Sequence, residues 1–395
     1  MKRQSTTRNN FDSAPVISVV LDFGGSGTKG IYSKYETRTA HSLFMEPEVI
    51  SVRAESIQIY EENCIGTTDY ENKAWVSVKQ EMKAVGYLAE SEYHGNSGLT
   101  ELKYERAIYK TLAAIWVIKE KLKLPSKIKV ALCTLLPPGE FENKSEFEKL
   151  LRTSSTDYLT PTGRMHLKYE IFQCLPEGAG VFLSHQKRFG RDALKQKISA
   201  VVMIGFRNAS ILISRRGVVS REGKTSDLGM VKMIDKVLNR SAGQDIKNLT
   251  SAIVSSTSTV NLSKIQSSQI TDNDINTRPL MKLLRSKTKE GRKVEIRTLV
   301  SAIYTAKSEY LKGVTNWLDE IVPKDVDEII FCGGTAHYLR VELDSHFRTT
   351  PCIFSENSLP KTIDKDCLGN RLTDVYGAFL YFDEILQKSF NYVQT

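Results

Sequence analysis

Directly after the apolar run Val16 to Leu21, the chain reads Asp22-Phe23-Gly24-Gly25-Ser26-Gly27-Thr28-Lys29-Gly30. A carboxylate, a glycine turn, two hydroxyls and a lysine in so short a stretch are the parts needed to hold a metal-bound polyphosphate. Glycines let backbone N–H groups approach phosphate more closely than residues with side chains allow. Asp22 either reaches Mg²⁺ through water or caps its own turn. Lys29 either neutralises phosphate as a point charge or is an exposed strand lysine. Ser26 and Thr28 either donate hydroxyls to the anion or simply form the turn.

Two other signatures overlap the same stretch. Gly25 to Gly30 spells GxGxxG, but a dinucleotide fold needs a helix immediately after the glycines. Ile31-Tyr32-Ser33-Lys34-Tyr35 is instead β-branched and aromatic in alternation, which predicts a second strand and a hairpin. Asp22 to Gly24 spells DFG, which in a protein kinase follows the catalytic loop. The residues before Asp22 hold no such loop, so a kinase of that type is not expected.

The elements that must position this turn alternate between strand and helix, which predicts an α/β protein. Residues Leu102 to Leu124 carry a helical stripe at Ala107, Ile108, Leu112, Ile115, Ile118 and Leu122. A buried strand, Ile128 to Leu132, follows and leads to the turn Pro137-Pro138-Gly139. A second helix is predicted over Arg297 to Ile321, then a strand, Glu328 to Cys332, ending on Gly333-Gly334. Between these halves, Ile198 to Ile213 forms an apolar hairpin interrupted by residues 205–210. The order strand, small polar turn, strand, then helices thus occurs twice, and two such halves facing each other would place their turns around one ligand. Asp227-Leu228-Gly229 precedes the helical run Met230 to Leu238, so Asp227 is a predicted N-cap. Ser241 to Asn276, rich in Ser, Thr and Asn, is expected to form a peripheral subdomain or loops.

Composition bounds these readings. A length of 395 residues suggests more than one lobe, and 41% hydrophobic with 26% charged residues is ordinary for a soluble globular protein. The net charge of +9 admits acidic partners, although a solvated basic surface explains it equally, as it does the run Lys282 to Lys293. Six scattered cysteines without CxxC spacing are expected to be reduced and mostly buried in a cytoplasmic protein. The histidines show no ligand spacing. No apolar run approaches a membrane span, so no membrane partner is expected, and the polar, basic residues 1–14 read as a disordered lead.

Five segments in this order resemble the actin-like ATPase superfamily, which includes actin, the plasmid-segregation actins of the ParM type, Hsp70 chaperones and sugar kinases. DFGGSGTKG looks like its first phosphate loop, and residues 131–138, ALCTLLPP, resemble the first interdomain connector of ParM-like proteins. FQCLPEGA, residues 172–179, resembles the helix start whose acidic or amide residue orients the attacking water; that role falls on Glu177. FCGGTAHY, residues 331–338, looks like the adenosine motif, and LTDVYGAFLY, residues 372–381, like the second connector and final helix.

The resemblance implies a two-lobed α/β fold of the actin, Hsp70 and sugar-kinase (ribonuclease H-like) type with a nucleotide cleft between the lobes. Domain I would span 15–184 plus 371–395, and domain II 185–370 with its peripheral subdomain at about 236–296. It implies ATP or GTP as ligand, with ADP as product, and Mg²⁺ held by Asp22 through water. Glu177 would position or deprotonate water, the alternative being a first-turn acid favoured by the helix dipole. Gly333, Gly334 and Thr335 would line the nucleotide, with Tyr338 either beside adenine or filling core, and Asp227 near the ribose. The second phosphate loop departs from the pattern: Met203 or Ile204 stands where an aspartate is expected, leaving Gly205, Asn208 and Ser210 to meet phosphate. Hydrolysis is accordingly expected to be slow or absent. The sequence ends soon after the second connector, so an Hsp70 substrate domain is not expected. The expected function is an actin that polymerises with nucleotide, hydrolyses it, and segregates plasmid DNA through a DNA-binding adaptor, without sequence-specific DNA contact of its own. The competing functions are a non-polymerising nucleotide-dependent scaffold or regulator and a small-molecule kinase of the same fold.

Overall fold

The computed structural model describes residues 14–98, 102–219, 222–241, 244–257, 276–355 and 359–390. The expected disordered lead, apart from Ala14, and much of the stretch from Ser241 to Asn276 lie outside the described residues. The chain divides into two compact units, Met1–Arg191 with Glu356–Thr395, and Asp192–Ser355.

In the first unit, β1 (Ile17–Gly24) and β2 (Gly27–Lys34) form the antiparallel hairpin that the alternation predicts, with Asp22 opposite Lys29. The other strands are β3 (His41–Met45), β4 (Val49–Ser51), β5 (Trp75–Val78), β6 (Glu81–Val85), β7 (Lys127–Leu136), β8 (Tyr158–Thr160) and β9 (Gly163–Pro176). They run in the order β3-β2-β1-β7-β9-β8-β5-β6-β4. Strand β7 extends beyond the expected Leu132 because Cys133 to Leu136 stay buried and paired, and it ends where Pro137 breaks the ladder. Strands β1, β7 and β9 are parallel, with Asp22 beside Leu135 and Leu136 beside Pro176. Their carboxyl ends therefore lie at one edge, the place where α/β sheets bind ligands.

Both faces of this three-strand centre are covered. Ile17, Val19 and Leu21 pack in one cluster with Leu112, Ile115 and Trp116 of the helix Lys103–Leu122. Val20, Ala131 and Cys133 pack in another with Val375, Ala378 and Phe382 of the C-terminal helix Thr373–Ser389. This near-continuous burial on both sides is what a parallel centre demands. The C-terminal helix crosses the helix Ala179–Phe189 at a glycine pair. A Cβ on Gly180 would stand 1.9 Å from the Asp374 carbonyl oxygen, and one on Gly377 2.1 Å from that of Gly180.

The second unit repeats the arrangement. β10 (Ile198–Ile204) and β11 (Ala209–Arg215) form a hairpin, β14 (Glu328–Cys332) pairs parallel with β10, and β15 (Cys352–Phe354) pairs with β14. The short β12 (Val218–Val219) and β13 (Lys224–Ser226) both pair with β11. The helix Met230–Leu238 and the long helix Lys289–Ile321 pack on this sheet through Met233, Ile234, Ile303, Ala306 and Tyr310. The long helix begins two turns before the expected Arg297, because Thr288 caps it by accepting the Gly291 N–H at 3.1 Å.

All six cysteines are free, but the expectation that most are buried is corrected. Cys133 and Cys332 are buried, Cys174 and Cys352 are half-buried, and Cys64 and Cys367 are exposed, the last two lying in loops. Among the described residues no helix is long and apolar enough to cross a membrane.

The glycine crossing generates a prediction. Gly180→Ala forces backbone against backbone and should destabilise by about 3 kcal/mol or more. Gly313→Ala, mid-helix with only Leu228 at 3.8 Å, should stabilise by about 0.5 to 1 kcal/mol. Denaturant unfolding of both variants checks the pair; equal effects contradict the packing account.

Candidate functional site

At the carboxyl ends of β1 and β9 the first unit buries a set of charged side chains. Asp22 ends up almost wholly inaccessible, and the Lys29 ammonium, directly across the hairpin, donates to its Oδ2. The turn between them is built around that lysine: a Cβ on Gly24 would meet Lys29 Nζ at 2.9 Å. Ser26, at the tip, is held by Arg371, whose Nη2 donates to the Ser26 carbonyl at 3.0 Å and to its hydroxyl at 3.2 Å. The Arg371 guanidinium lies 5.2 Å from the centre of the Phe44 ring.

Glu177 stands just beyond β9, in the turn before the helix Ala179–Phe189 rather than in its first turn, which corrects the plainer of its two readings. The turn is fixed at both ends. Glu177 N–H donates to the Leu136 carbonyl at 2.8 Å, and the Asp374 carboxylate accepts from Gly178 N–H at 2.7 Å and Val181 N–H at 3.1 Å. Asp374 thus satisfies the first N–H groups of that helix, a task usually done by a side chain at the cap itself. The Glu177 carboxylate accepts from the Lys103 ammonium, and both side chains are buried. Lys103 is itself held where its helix begins, because Glu140 accepts its backbone N–H at 2.6 Å.

These charges set one another's proton affinities. Burial pushes Asp22 up, but Lys29, Lys103 and Lys110 outweigh it and hold the carboxyl below its ordinary value. For Glu177, burial dominates and is reinforced by Asp22, so its carboxyl lies above the usual range despite Lys103. Asp22 and Glu177, the two residues to which the sequence assigns chemistry, are therefore close enough to repel. The second oxygen of Asp22 and the Thr28 hydroxyl are buried with no hydrogen-bond partner among the described residues. Such unsatisfied atoms are costly unless something binds them. A Mg²⁺ that keeps most of its waters and touches one carboxylate fits this donor set, whereas the described residues hold no cluster of three ligands able to chelate a bare ion.

Sequence reasoning missed Lys103, Lys110, Arg371 and Asp374. Lys103 and Lys110 fall in line with Ala107 and Ala114 on the buried stripe of their helix, and a cation at that spacing was the available signal. Arg371 immediately precedes the segment that resembles the second connector. Asp374 looks like an ordinary first-turn acid, and nothing local reveals that it serves another helix.

In the second unit, the β10–β11 turn carries Gly205, Asn208 and Ser210. Gly205 N–H donates to the Asn208 carbonyl at 2.9 Å, and buried Ser210 has its hydroxyl 3.3 Å from that of Thr225. Thr335 is buried and donates to the Gly205 carbonyl at 2.9 Å, so its hydroxyl ties β14 to the turn. Gly333 makes the same approach possible, since a Cβ there would meet the Ile204 carbonyl oxygen at 2.5 Å, and Gly334 starts a short helix, Gly334–Tyr338. The Tyr338 ring packs against the core of this unit with Lys307 Nζ 4.9 Å from its centre, the arrangement of a core residue. The side chains of Met203 and Ile204 put no oxygen at the end of β10. The capping role of Asp227 is corrected: its exposed carboxylate pairs with Lys232 at 2.6 Å, and Gly229 occupies the N-cap. The carbonyls of Gly205 and Phe206 already accept from Met230 and Val231, which leaves no donor there for Asp227 to satisfy.

No protein-family model and no curated protein matches the chain. Solved structures do. The actin-like protein Alp7A aligns over 95% of this chain and 98% of its own, with a TM-score of 0.65 at 16% identity. A protomer of a 15-stranded ParM filament from Clostridium botulinum aligns over 94% and 99%, with a TM-score of 0.60 at 14% identity. Bacillus thuringiensis ParM with AMPPNP aligns over 95% and 99%, with a TM-score of 0.55 at 12% identity. The chain has the actin-like α/β fold.

The Asp374 carboxyl is pushed up to about 7, first by burial and then by the Asp22 and Glu177 charges, against the two backbone N–H bonds that lower it. A folded value above the ordinary carboxyl value of about 3.9 means that folding favours the protonated form. Its contribution is fully present below about pH 4 and is lost as pH rises through about 7. Stability should therefore fall by up to about 1 kcal/mol per pH unit on approaching neutrality. Asp374→Asn should flatten that slope at a pH-independent cost of about 1 kcal/mol, since an amide nitrogen cannot accept one of the two N–H bonds. Denaturant titrations at stepped pH read both terms, and an unchanged slope in the variant contradicts the assignment.

Proposed function

We propose that the chain is a nucleotide-dependent filament protein that binds ATP or GTP with Mg²⁺, hydrolyses it, and segregates DNA through an adaptor. The observation that carries this reading is the buried Asp22–Lys29 pair beneath the Gly24–Gly27 turn, with Glu177 just beyond the end of β9, two strands over in the same sheet. The fold adds support, since its solved neighbours include a ParM in a filament and a ParM with AMPPNP.

In this reading the turn's backbone N–H groups and the Lys29 ammonium take the phosphates, which requires Lys29 to exchange Asp22 for the anion. Arg371 keeps the tip of the turn in place through Ser26. Asp22 holds the waters of Mg²⁺, which when bound screens the phosphate charges. Glu177, with its raised proton affinity, accepts the proton of a water aligned for attack, and Lys103 orients its carboxylate. In the second unit, Gly205, Asn208, Ser210, Gly333, Gly334 and Thr335 are assigned to the nucleotide as proposals, as are Asp227 and Tyr338, each of which also has another role in the fold. A head-to-tail contact that does not close makes a filament without any special motif. The second reading, a non-polymerising nucleotide-dependent regulator, is favoured by one feature: Met203 and Ile204 supply no second carboxylate, which would slow hydrolysis.

Light scattering and phosphate release, followed together after adding Mg-ATP, separate the two. The filament reading expects a rise in scattering that precedes phosphate release. Release with no scattering or pelleted protein overturns it in favour of the regulator. Glu177→Gln should still assemble while releasing phosphate at least about 100-fold more slowly; loss of nucleotide binding in that variant contradicts the water-positioning role.

A further inference from the structure

Residues 278–297 contain eight Lys or Arg and two Glu, a net +6 out of the chain's +9. They comprise the short helix Arg278–Met281, the connection after it and the first turns of the long helix Lys289–Ile321. All eight cations are exposed. An ordinary solvated face intersperses both signs, but here the two acids are largely committed. Glu295 accepts the backbone N–H groups of Arg285, at 2.9 Å, and Ser286, at 2.9 Å, pinning the connection onto the helix. Glu290 lies 3.6 Å from Lys293. Arg278, Lys282, Lys287, Lys289 and Arg297 have no carboxylate among the described residues within salt-bridge distance.

We infer that this surface binds the phosphate backbone of duplex DNA directly and without regard to sequence. Lys289, Lys293 and Arg297 recur every four residues, so they form a row on one side of the helix with steps of about 6 Å along its axis. Such a row neutralises successive phosphates, and counterion release supplies the affinity. The stretch has no aromatic residue, which argues against single strands, whose bases need stacking platforms. Its exposed apolar residues, Met281 and Val294, are isolated rather than arranged as the broad apolar face that a membrane-lying helix requires. The Glu295 bonds and the Thr288 cap hold the cations on fixed backbone, so little ordering is lost on binding. The inference does not rest on the nucleotide reading, and it places a DNA contact on the chain itself, in addition to any adaptor.

The test is fluorescence anisotropy of a short labelled duplex of random sequence, titrated with the full chain without nucleotide over a series of salt concentrations. The wild-type protein should bind with affinity that falls steeply with salt. The triple variant Lys289→Gln, Lys293→Gln, Arg297→Gln should bind at least about tenfold more weakly at low salt, with the log–log salt slope shallower by about three. Its thermal midpoint and its scattering response to Mg-ATP should match the wild type. Absence of wild-type binding at low salt, or an unchanged affinity and slope in the triple variant, overturns the inference. Equal or tighter binding to polyglutamate or to phosphatidylserine vesicles overturns the assignment to nucleic acid.

Discussion

The first unit depends on neutralising charge where water is nearly absent. Asp22, Glu177 and Asp374 are all buried at one end of the parallel strands, and each would carry a large desolvation cost alone. Three different partners offset it: a lysine across a hairpin, a lysine from a helix start, and the N–H groups at the start of another helix. Removing any one partner would leave its acid uncompensated, so the cluster constrains the placement of two helices and a turn together. The arrangement costs more than an apolar core of similar volume would, and it is this costly cluster that the proposed reading assigns to an anionic ligand and its metal. Asp22 has one oxygen committed to Lys29 and the other without a hydrogen-bond partner among the described residues.

Much of the architecture was legible because local pattern and tertiary outcome agree. The alternation over Ile31 to Tyr35 marked a strand, the glycines a hairpin turn, and the apolar run at Ile198 a second hairpin; the parallel partners of both came only with the structure. What stayed hidden was contact between distant segments. Lys103 and Glu177 are 74 residues apart, and Gly178 and Asp374 are 196 apart; neither spacing carries a local signature. Asp227 was misread for the converse reason. A capping residue is inferred from its neighbours in sequence, whereas the N–H groups it would have met are taken by carbonyls of the β10–β11 turn, a contact that only the folded chain supplies.

The two hairpins, alike in topology, differ in chemistry. At β1–β2 the strand end carries Asp22 and faces Lys29. At β10–β11 the corresponding end is apolar, and the polar atoms nearby are occupied in holding β14 and the helix Met230–Leu238 in place. The buried charged groups thus belong to the hairpin of the first unit, while that of the second carries backbone groups and small side chains. In the proposed reading that asymmetry would make hydrolysis slow, because Asp22 would be the single carboxylate holding the metal's waters. The cations of residues 278–297, all exposed, carry the separate proposal of a contact with a polyanion rather than a nucleotide.

The most direct test of the central claim is a crystal structure of the protein with Mg²⁺ and a non-hydrolysable ATP analogue. The account predicts phosphate oxygens against the backbone N–H groups of the Gly24–Gly27 turn, the Lys29 ammonium moved from Asp22 to the phosphates, and a hydrated metal beside Asp22. A nucleotide seated elsewhere, or bound with the Asp22–Lys29 pair intact and the turn untouched, would contradict it.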